Sequence, residues 1–245
     1  MRLYNALARI VRNPLGFWYL LINYIFPTPF RFQRRSFSQE GEDLILSEIL
    51  TQKDNGLYVD IGANHPFSLS NTYHFYQRGW KGVNIDAMPG SMGLFKKYRP
   101  RDINIECGIS DIKANLKYYV FNKSELNTFN EKYVEKYMSN SDISLKNVID
   151  VKVLPLEDVL STYFPTPTYF DFISIDVEGM DLEVLLSNNW KKYRSHIVLV
   201  EAMEFAPINK INESLIFNFL QQQGYELIAK TPRTCFFRDT CNNIK

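Results

Sequence analysis

The chain has 245 residues, of which 45% are hydrophobic and 22% are charged, and its formal net charge is +1. This composition excludes a wholly disordered or fibrous protein, and the near-neutral charge gives no field that would favour nucleic acid as a partner. The 3 cysteines are scattered and lack CxxC spacing, so they indicate neither a disulfide framework nor a zinc cluster. We therefore expect reduced thiols in a cytoplasmic globular protein.

The first 35 residues differ from the rest in charge, because they carry arginines but no acidic residue. Their apolar run at Phe17–Phe26 is shorter than the roughly 20 residues that span a bilayer, and no small-residue cleavage site of a secretory signal follows. Residues 1–35 are therefore predicted to be a helical appendage that packs on the main domain or on a second subunit of a homo-oligomer. Alternatively, residues 1–30 lie on an anionic membrane surface, at its inner face.

From residue 36 to residue 245, short apolar runs alternate with helical segments, which predicts one α/β domain. The first half is predicted to contain, in chain order, helix Asp43–Leu50, strand Leu57–Ile61, helix Asn71–Arg78, strand Gly82–Ile85, helix Ser91–Tyr98 and the strands Ile103–Ile105, Leu116–Phe121 and Val151–Leu154. The polar stretch Asn122–Asn147 is predicted to be an insertion over one face of the domain, helical around Glu131–Met138.

The second half continues the alternation. Its predicted elements are strand Phe170–Ile175, helix Leu182–Leu186, strand His196–Val200, helix Leu215–Gln223 and a terminal hairpin of Tyr225–Ile228 and Thr234–Arg238. We find no internal repeat, so a single domain is expected after the N-terminal segment.

Acidic residues stand at the ends of four predicted strands: Asp60, Asp86, Asp176 and Glu201. In open α/β sheets, ligands bind outside the carboxyl ends of the strands, so these side chains are expected to converge on one site. Asp86 is placed where an acidic residue accepts hydrogen bonds from the hydroxyls of a ribose, although an ordinary turn residue would look the same.

The turn after the first strand argues against a dinucleotide. Gly62 permits a sharp turn and a close approach to the main chain, but Asn64-His65-Pro66 follows where a dinucleotide fingerprint would have further glycines. The helix that begins near Ser70-Asn71-Thr72 offers free N–H groups to an anionic group. A nucleoside without a pyrophosphate, such as S-adenosylmethionine, fits this turn better.

The motifs together resemble the FkbM-type S-adenosylmethionine-dependent methyltransferases, from about Phe37 to the C-terminal strands. The motifs that carry this resemblance are "FSQEGEDLIL", "YVDIGAN", "GWKGVNIDAMP", "FDFISIDVEGMDLEVL" and "IVLVEAMEF". The resemblance implies a Rossmann-like sheet of seven strands, mostly parallel, with helices on both faces and a reversed strand near one edge. It also implies O-methylation of sugars or other small metabolites.

Carried over to this sequence, the resemblance implies a set of cofactor-binding residues. These are Gln39 at the methionine end, Asp60, Gly62 and Asn64 in the first loop, Ser70, Asn71 and Thr72 after it, Asp86 at the ribose, Ser110 and Asp111 at the adenine, and Asp176. The chain departs from the usual family pattern at Pro66, where many members have glycine.

Methyl transfer to a hydroxyl needs a base or a metal near the acceptor oxygen. Asp176, Glu178 and Glu201 are the candidate catalytic carboxylates, and Asp176 and Glu201 could bind Mg²⁺ through hard oxygen ligands. Alternatively, Asp176 accepts loop amides and Glu178 caps the next helix. His65 is a further candidate base, although a histidine before proline is more often a turn element.

Two other functions stay open at the level of sequence. One is an NAD-dependent sugar-modifying enzyme, against which the missing glycines count. The other is a non-catalytic glycan-binding or assembly module on a methyltransferase fold. The leading hypothesis is an O-methyltransferase for a sugar hydroxyl of a glycan, glycolipid or small glycosylated metabolite.

Overall fold

The computed structural model describes residues 18, 21–22, 24–25, 33–51, 53–202 and 213–242. The chain divides into two compact units, Met1–Arg35 and Ser36–Lys245. The predicted appendage falls almost entirely outside the described residues. Within the described part of the chain, no helix is both long enough and apolar enough to cross a membrane.

The described helices of the larger unit are short. They are α1 (Glu42–Ile49), α2 (Tyr73–Gln77), α3 (Met92–Tyr98), α4 (Glu131–Met138), α5 (Leu156–Tyr163), α6 (Asp181–Leu186) and α7 (Leu215–Gln222), with a 3₁₀ turn at Ser124–Leu126. The strands are β1 (Leu57–Ile61), β2 (Lys81–Asp86), β3 (Ile103–Glu106), β4 (Gly108–Ile109), β5 (Ala114–Phe121), β6 (Leu145–Leu154), β7 (Thr168–Ile175), β8 (Tyr193–Glu201), β9 (Tyr225–Lys230) and β10 (Thr234–Asp239).

The main sheet has seven strands in the order β3-β2-β1-β7-β8-β10-β9. All neighbours from β3 to β8 run parallel, whereas β10 is antiparallel to both β8 and β9. The predicted mostly parallel sheet with a reversed strand near one edge is therefore confirmed, and so is the terminal hairpin.

The register of the central strands brings their carboxyl ends level. Ile61 pairs with Ile85 on one side and with Ile175 on the other, and Ile175 in turn pairs with Val200. The next residue along each of these strands is Gly62, Asp86, Asp176 or Glu201. The expected convergence at one edge of the sheet is confirmed for Asp86, Asp176 and Glu201.

The two faces of the sheet have separate cores, because successive side chains of a strand point to opposite faces. Val59 and Ile61 of β1 pack on one face, in a cluster that includes Leu160 and Val184. Tyr58 packs on the other face, among residues of α1 and α2 such as Leu46 and Phe75. Asp60 has the same parity as Tyr58, and it is buried.

A second sheet of three strands, in the order β4-β6-β5, carries the predicted insertion. Strand β6 begins at Leu145 rather than at the predicted Val151. The prediction missed its first half because that part is largely exposed and lacks apolar alternation. Helix α5 was not predicted, although Pro155 precedes it and Glu157 and Asp158 lie in its first turn. These are ordinary signals of a helix start. The predicted helix in the insertion is confirmed as α4.

Candidate active site

A cavity of about 280 Å³ lies at the carboxyl ends of the central strands. Its lining includes six of the residues predicted for a cofactor: Gln39, Gly62, Asn64, Asn71, Asp86 and Asp176. The other predicted catalytic carboxylates, Glu178 and Glu201, line it as well. The sheet edge and the following loops therefore bring most of the predicted site residues into one space.

Asp86 organises the loop that faces it. Its carboxylate accepts hydrogen bonds from the backbone N–H groups of Asn64 and Met88, each at 2.9 Å. Asn64 adopts the left-handed conformation, with φ of 48°, which asparagine tolerates better than most residues. Burial raises the pKa of Asp86, and the two backbone hydrogen bonds oppose that shift. Each carboxylate oxygen keeps a further lone pair for a ligand hydroxyl.

Asp60 and Thr72 lie behind the loop and are not among the residues that line the cavity. The Thr72 hydroxyl donates to Asp60 at 2.7 Å and accepts from the Arg99 guanidinium at 3.0 Å. Burial raises the pKa of Asp60 to about 6, and the hydrogen bond from Thr72 opposes the shift. Strand alternation places Asp60 on the face of Tyr58, where its hydrogen bond holds Thr72 in place.

The segment from Ser70 to Asn71 is tied to the rest of the domain. Ser70 is buried; its N–H donates to the carbonyl of Phe37 at 2.9 Å, and its hydroxyl accepts from the N–H of Tyr73 at 3.1 Å. The Asn71 amide donates to the hydroxyl of Ser174 on β7 at 3.0 Å. Of the three predicted residues 70–72, Asn71 alone is among those that line the cavity.

His65 is placed as a turn residue. Its Nδ1 accepts hydrogen bonds from the N–H groups of Phe67 at 3.4 Å and Ser68 at 3.1 Å, which leaves the imidazole neutral with its proton on Nε2. Burial lowers its pKa. The residue is not among those that line the cavity, so this geometry favours the turn reading over a catalytic base.

The residues predicted for the adenine stand beside the cavity. Ser110 is buried, and its hydroxyl donates to the exposed Asp111 at 3.1 Å. Neither is among the lining residues, whereas their neighbours Cys107, Gly108 and Ile109 are. The cavity is therefore bordered by β4 and by the residue before it, and not by the two residues predicted for the adenine.

Three carboxylates meet at the ends of β7 and β8. One oxygen each of Asp176, Glu178 and Glu201 lies within 4.8 Å of the others. In an octahedral Mg²⁺ site the ligand oxygens lie about 2.1 Å from the ion, so two opposite oxygens are about 4.2 Å apart. The cluster therefore has the donor type and nearly the spacing of a divalent cation site, and it includes Glu178 beside the two predicted metal ligands.

Repulsion and burial control the charge of this cluster. Desolvation by burial raises the pKa of all three carboxyls, and the neighbouring carboxylates raise those of Glu178 and Glu201 further. The hydrogen bond between Asp176 and Glu201 raises the pKa of Glu201 and opposes the rise in the pKa of Asp176. The Tyr137 phenol donates to Glu178. A bound cation would remove much of this repulsion.

Strand β5 and the insertion also line the cavity, with the aromatic residues Tyr118, Phe129 and Tyr137. The sequence analysis did not identify four charged residues of the lining, Glu42, Glu125, Lys136 and Arg233. Arg233 pairs with Glu40 at 3.4 Å. These residues come from distant parts of the chain, and only the motif "FSQEGEDLIL" hinted at Glu42.

The fold is that of a Rossmann-like methyltransferase: a mostly parallel seven-stranded sheet with a cavity at the carboxyl ends of its strands and the acidic residue Asp86 at the end of β2. Residues 60–227 match the model of the methyltransferase FkbM domain. The chain therefore belongs to the FkbM methyltransferase family of S-adenosylmethionine-dependent enzymes, and the resemblance seen in the sequence is confirmed. Membership favours methyl transfer over the NAD-dependent alternative.

Solved structures of other methyltransferases resemble the chain distantly. A precorrin-6y C5,15-methyltransferase from Geobacter metallireducens has a TM-score of 0.42 and 13% identity, covering 85% of this chain and 93% of that chain. A 1,6-didemethyltoxoflavin-N1-methyltransferase from Burkholderia thailandensis, with bound S-adenosylhomocysteine, has a TM-score of 0.45 and 10% identity, covering 96% and 90%. A TehB-like methyltransferase from Corynebacterium glutamicum has a TM-score of 0.41 and 9% identity, covering 94% and 97%. A search of curated proteins gave no significant match.

Proposed function

We propose that this protein transfers the methyl group of S-adenosylmethionine to a sugar hydroxyl of a glycan, glycolipid or small glycosylated metabolite. The observation that carries the proposal is the position of the carboxylate cluster. Asp176, Glu178 and Glu201 line the same cavity as Asp86, so a base and a cation site stand beside the ribose position.

The cavity supports a nucleoside cofactor at one end. Asp86 would accept the ribose hydroxyls, and its two backbone hydrogen bonds already fix its orientation. Cys107, Gly108 and Ile109 also line the cavity and would offer a largely apolar surface to the adenine. Gln39 and Asn71 line the cavity near the loops that would meet the amino-acid tail.

The reaction is an in-line displacement at the methyl carbon. The acceptor oxygen bonds to the methyl carbon as the sulfur–methyl bond breaks, and S-adenosylhomocysteine leaves without the sulfonium charge. The acceptor hydroxyl must lose its proton, and Glu178 can receive it because its pKa, raised by burial to about 8, lies near neutrality. Alignment of the two reacting atoms supplies much of the remaining acceleration.

Alternatively, the cluster would hold a divalent cation such as Mg²⁺ through Asp176, Glu178 and Glu201. Glu178 would then be a ligand and not the base. When bound, the ion would lower the pKa of an acceptor hydroxyl and orient a diol. The acceptor would lie between the ends of β7 and β8 and the insertion. Tyr118, Phe129 and Tyr137 line this space, and aromatic rings of this kind support a sugar acceptor because they stack on its apolar face.

The experiment is to incubate the protein with methyl-labelled S-adenosylmethionine and with glycans or cell-envelope extracts. Mass spectrometry then identifies the labelled product. We expect label in an O-methyl ether of a sugar, and loss of transfer in Asp176→Asn. Cofactor binding without transfer to any hydroxyl would instead support the non-catalytic module, and label on nitrogen or carbon would overturn the O-methyl assignment.

A further inference from the structure

The backbone at Glu178 is held in an unusual conformation. Glu178 has φ of 52° and Gly179 has φ of 94°, so two successive residues are left-handed. A glutamate in this region is strained and persists only where surrounding contacts fix it. The contacts that fix it come from two sides of the turn.

From below, Asp181 satisfies the N–H groups of the turn. Its buried carboxylate accepts hydrogen bonds from the N–H groups of Val177 and Gly179, each at 3.2 Å. From above, the insertion satisfies the carbonyls. The Thr128 hydroxyl donates to the carbonyl of Glu178 at 2.7 Å, and the Asn130 amide donates to the carbonyl of Gly179 at 2.8 Å.

The two donors are themselves anchored. Thr128 is fully buried, and its backbone exchanges two hydrogen bonds with Tyr119 of β5, at 2.8 and 3.2 Å. The Asn130 side chain also caps α4 by accepting from the N–H of Lys132 at 3.1 Å. The same helix carries Tyr137, whose phenol donates to the Glu178 carboxylate. Backbone and side chain of Glu178 are therefore held by one segment, Thr128–Tyr137.

We propose that Thr128, Asn130 and Tyr137 are positioning residues for Glu178, so that the insertion sets the orientation of this carboxylate at the acceptor. The proposal rests on the proposed function for its catalytic consequence. The left-handed conformation of Glu178 and Gly179 directs the Glu178 carboxylate toward Asp176 and Glu201. A change of backbone conformation at these two residues would therefore move the carboxylate away from them. The segment thus acts through Glu178 and not through the cofactor end of the cavity.

Thr128 offers a matched pair of variants. Thr128→Val keeps the shape of the side chain but removes two hydrogen bonds, the one donated to the Glu178 carbonyl at 2.7 Å and the one accepted from the Asn130 N–H at 2.8 Å. Thr128→Ser keeps the hydroxyl. We expect Thr128→Val to lower kcat for labelled methyl transfer to an envelope extract at least about tenfold, because both buried hydrogen bonds of the hydroxyl are lost. Its KM for S-adenosylmethionine should stay within about twofold of wild type, and Thr128→Ser should restore kcat.

Hydrogen exchange of the full chain supplies a readout that needs no acceptor. In Thr128→Val the amides of Val177 and Gly179 should exchange about tenfold faster than in wild type or Thr128→Ser, while amides of β1 stay unchanged. If wild type transfers no label but this local exchange changes, the proposed function fails and the positioning stands. Unchanged exchange and unchanged kcat in Thr128→Val would overturn the positioning. A rise in KM for S-adenosylmethionine without loss of kcat would overturn it as well.

Discussion

Gly62 and Asp176 approach each other so closely that no side chain fits between them. A Cβ atom on Gly62 would lie 1.7 Å from the carbonyl oxygen of Asp176. Gly62 also has φ of 81°. The glycine of the first loop therefore serves the packing of β1 against the end of β7, and through it the position of Asp176 in the cavity. The sequence motif suggested a turn and an approach by ligand, whereas the structure shows an approach by backbone.

Gly62→Ala should destabilise the fold strongly. The backbone conformation alone costs about 1–2 kcal/mol, and the clash with a main-chain oxygen should bring the loss to at least about 3 kcal/mol or prevent folding. Gly90→Ala is the matched control, since Gly90 has φ of 86° and nothing within 4 Å of an added Cβ. Urea denaturation measures both, and equal losses in the two variants would show that the contact with Asp176 is unimportant.

Asp60 should make stability fall as pH rises. Its pKa in the folded protein is raised to about 6 from 3.8, so the native state binds more protons than the unfolded state between these values. The stabilising protonated form is therefore fully present below about pH 4 and lost above pH 6. The shift of about two pKa units corresponds to about 3 kcal/mol.

The variant Asp60→Asn should remove this dependence. Relative to wild type, its free energy of unfolding should increase by about 3 kcal/mol between pH 4 and pH 7, because the neutral amide can still accept the hydrogen bond from Thr72. Asp150→Asn, at an exposed position on β6, is the control. A constant difference in the free energy of unfolding between Asp60→Asn and wild type across this pH range would show that the pKa of Asp60 is not raised in the folded protein.

Arg99 should be a main support of the cofactor loop. It is fully buried, pairs with Asp102 at 2.9 Å and donates to the hydroxyl of Tyr58 at 2.7 Å and to the carbonyl of Pro66 at 3.3 Å. Arg99→Met leaves Asp102 buried without a cation and should cost about 3–5 kcal/mol in chemical denaturation. Arg101→Met, at an exposed position nearby, should cost under about 1 kcal/mol. Similar losses would indicate that the buried network adds little.

The carboxylate cluster should respond to Glu201→Gln in opposite ways with and without metal. In chelator, the variant should be as stable as wild type or more stable, because a neutral amide at this position cannot repel Asp176 and Glu178 at any pH. With Mn²⁺ at about 100 times its Kd, wild type should gain about 2.7 kcal/mol and the variant much less. Glu226→Gln, on an exposed ion pair, should behave as wild type. Equal gains in all three proteins would place the cation elsewhere.

Much of the fold follows from local pattern. The period of apolar residues predicts the central strands, and the acids at their ends predict the site, because parallel strands bring their carboxyl ends together. The exposed first half of β6 lacks such a pattern, since its hydrogen-bonding partner β5 holds it without much burial. The helix α5 was missed although Pro155 and Glu157 are usable signals of a helix start.

Other features depend on direction and distance in the chain. The family resemblance implies a cofactor role for Asp60, which stays a prediction, and strand alternation places this residue on the face of Tyr58 and not among the residues that line the cavity. The roles of Arg99 and Thr128 depend on contacts with residues far away in sequence. Nothing near Thr128 indicates that its hydroxyl meets the carbonyl of Glu178.

The most direct test of the central claim is calorimetric titration of S-adenosylmethionine into wild type, Asp86→Ala and Glu106→Ala. Asp86 and Glu106 are paired neighbours at the ends of β2 and β3, but Asp86 lines the cavity and Glu106 is not among its lining residues. Wild type and Glu106→Ala should bind one equivalent with similar affinity, and Asp86→Ala should bind at least about tenfold more weakly, the loss expected for hydrogen bonds to a charged group. A folded wild-type protein that binds no S-adenosylmethionine, or equal affinity in Asp86→Ala, would contradict the account.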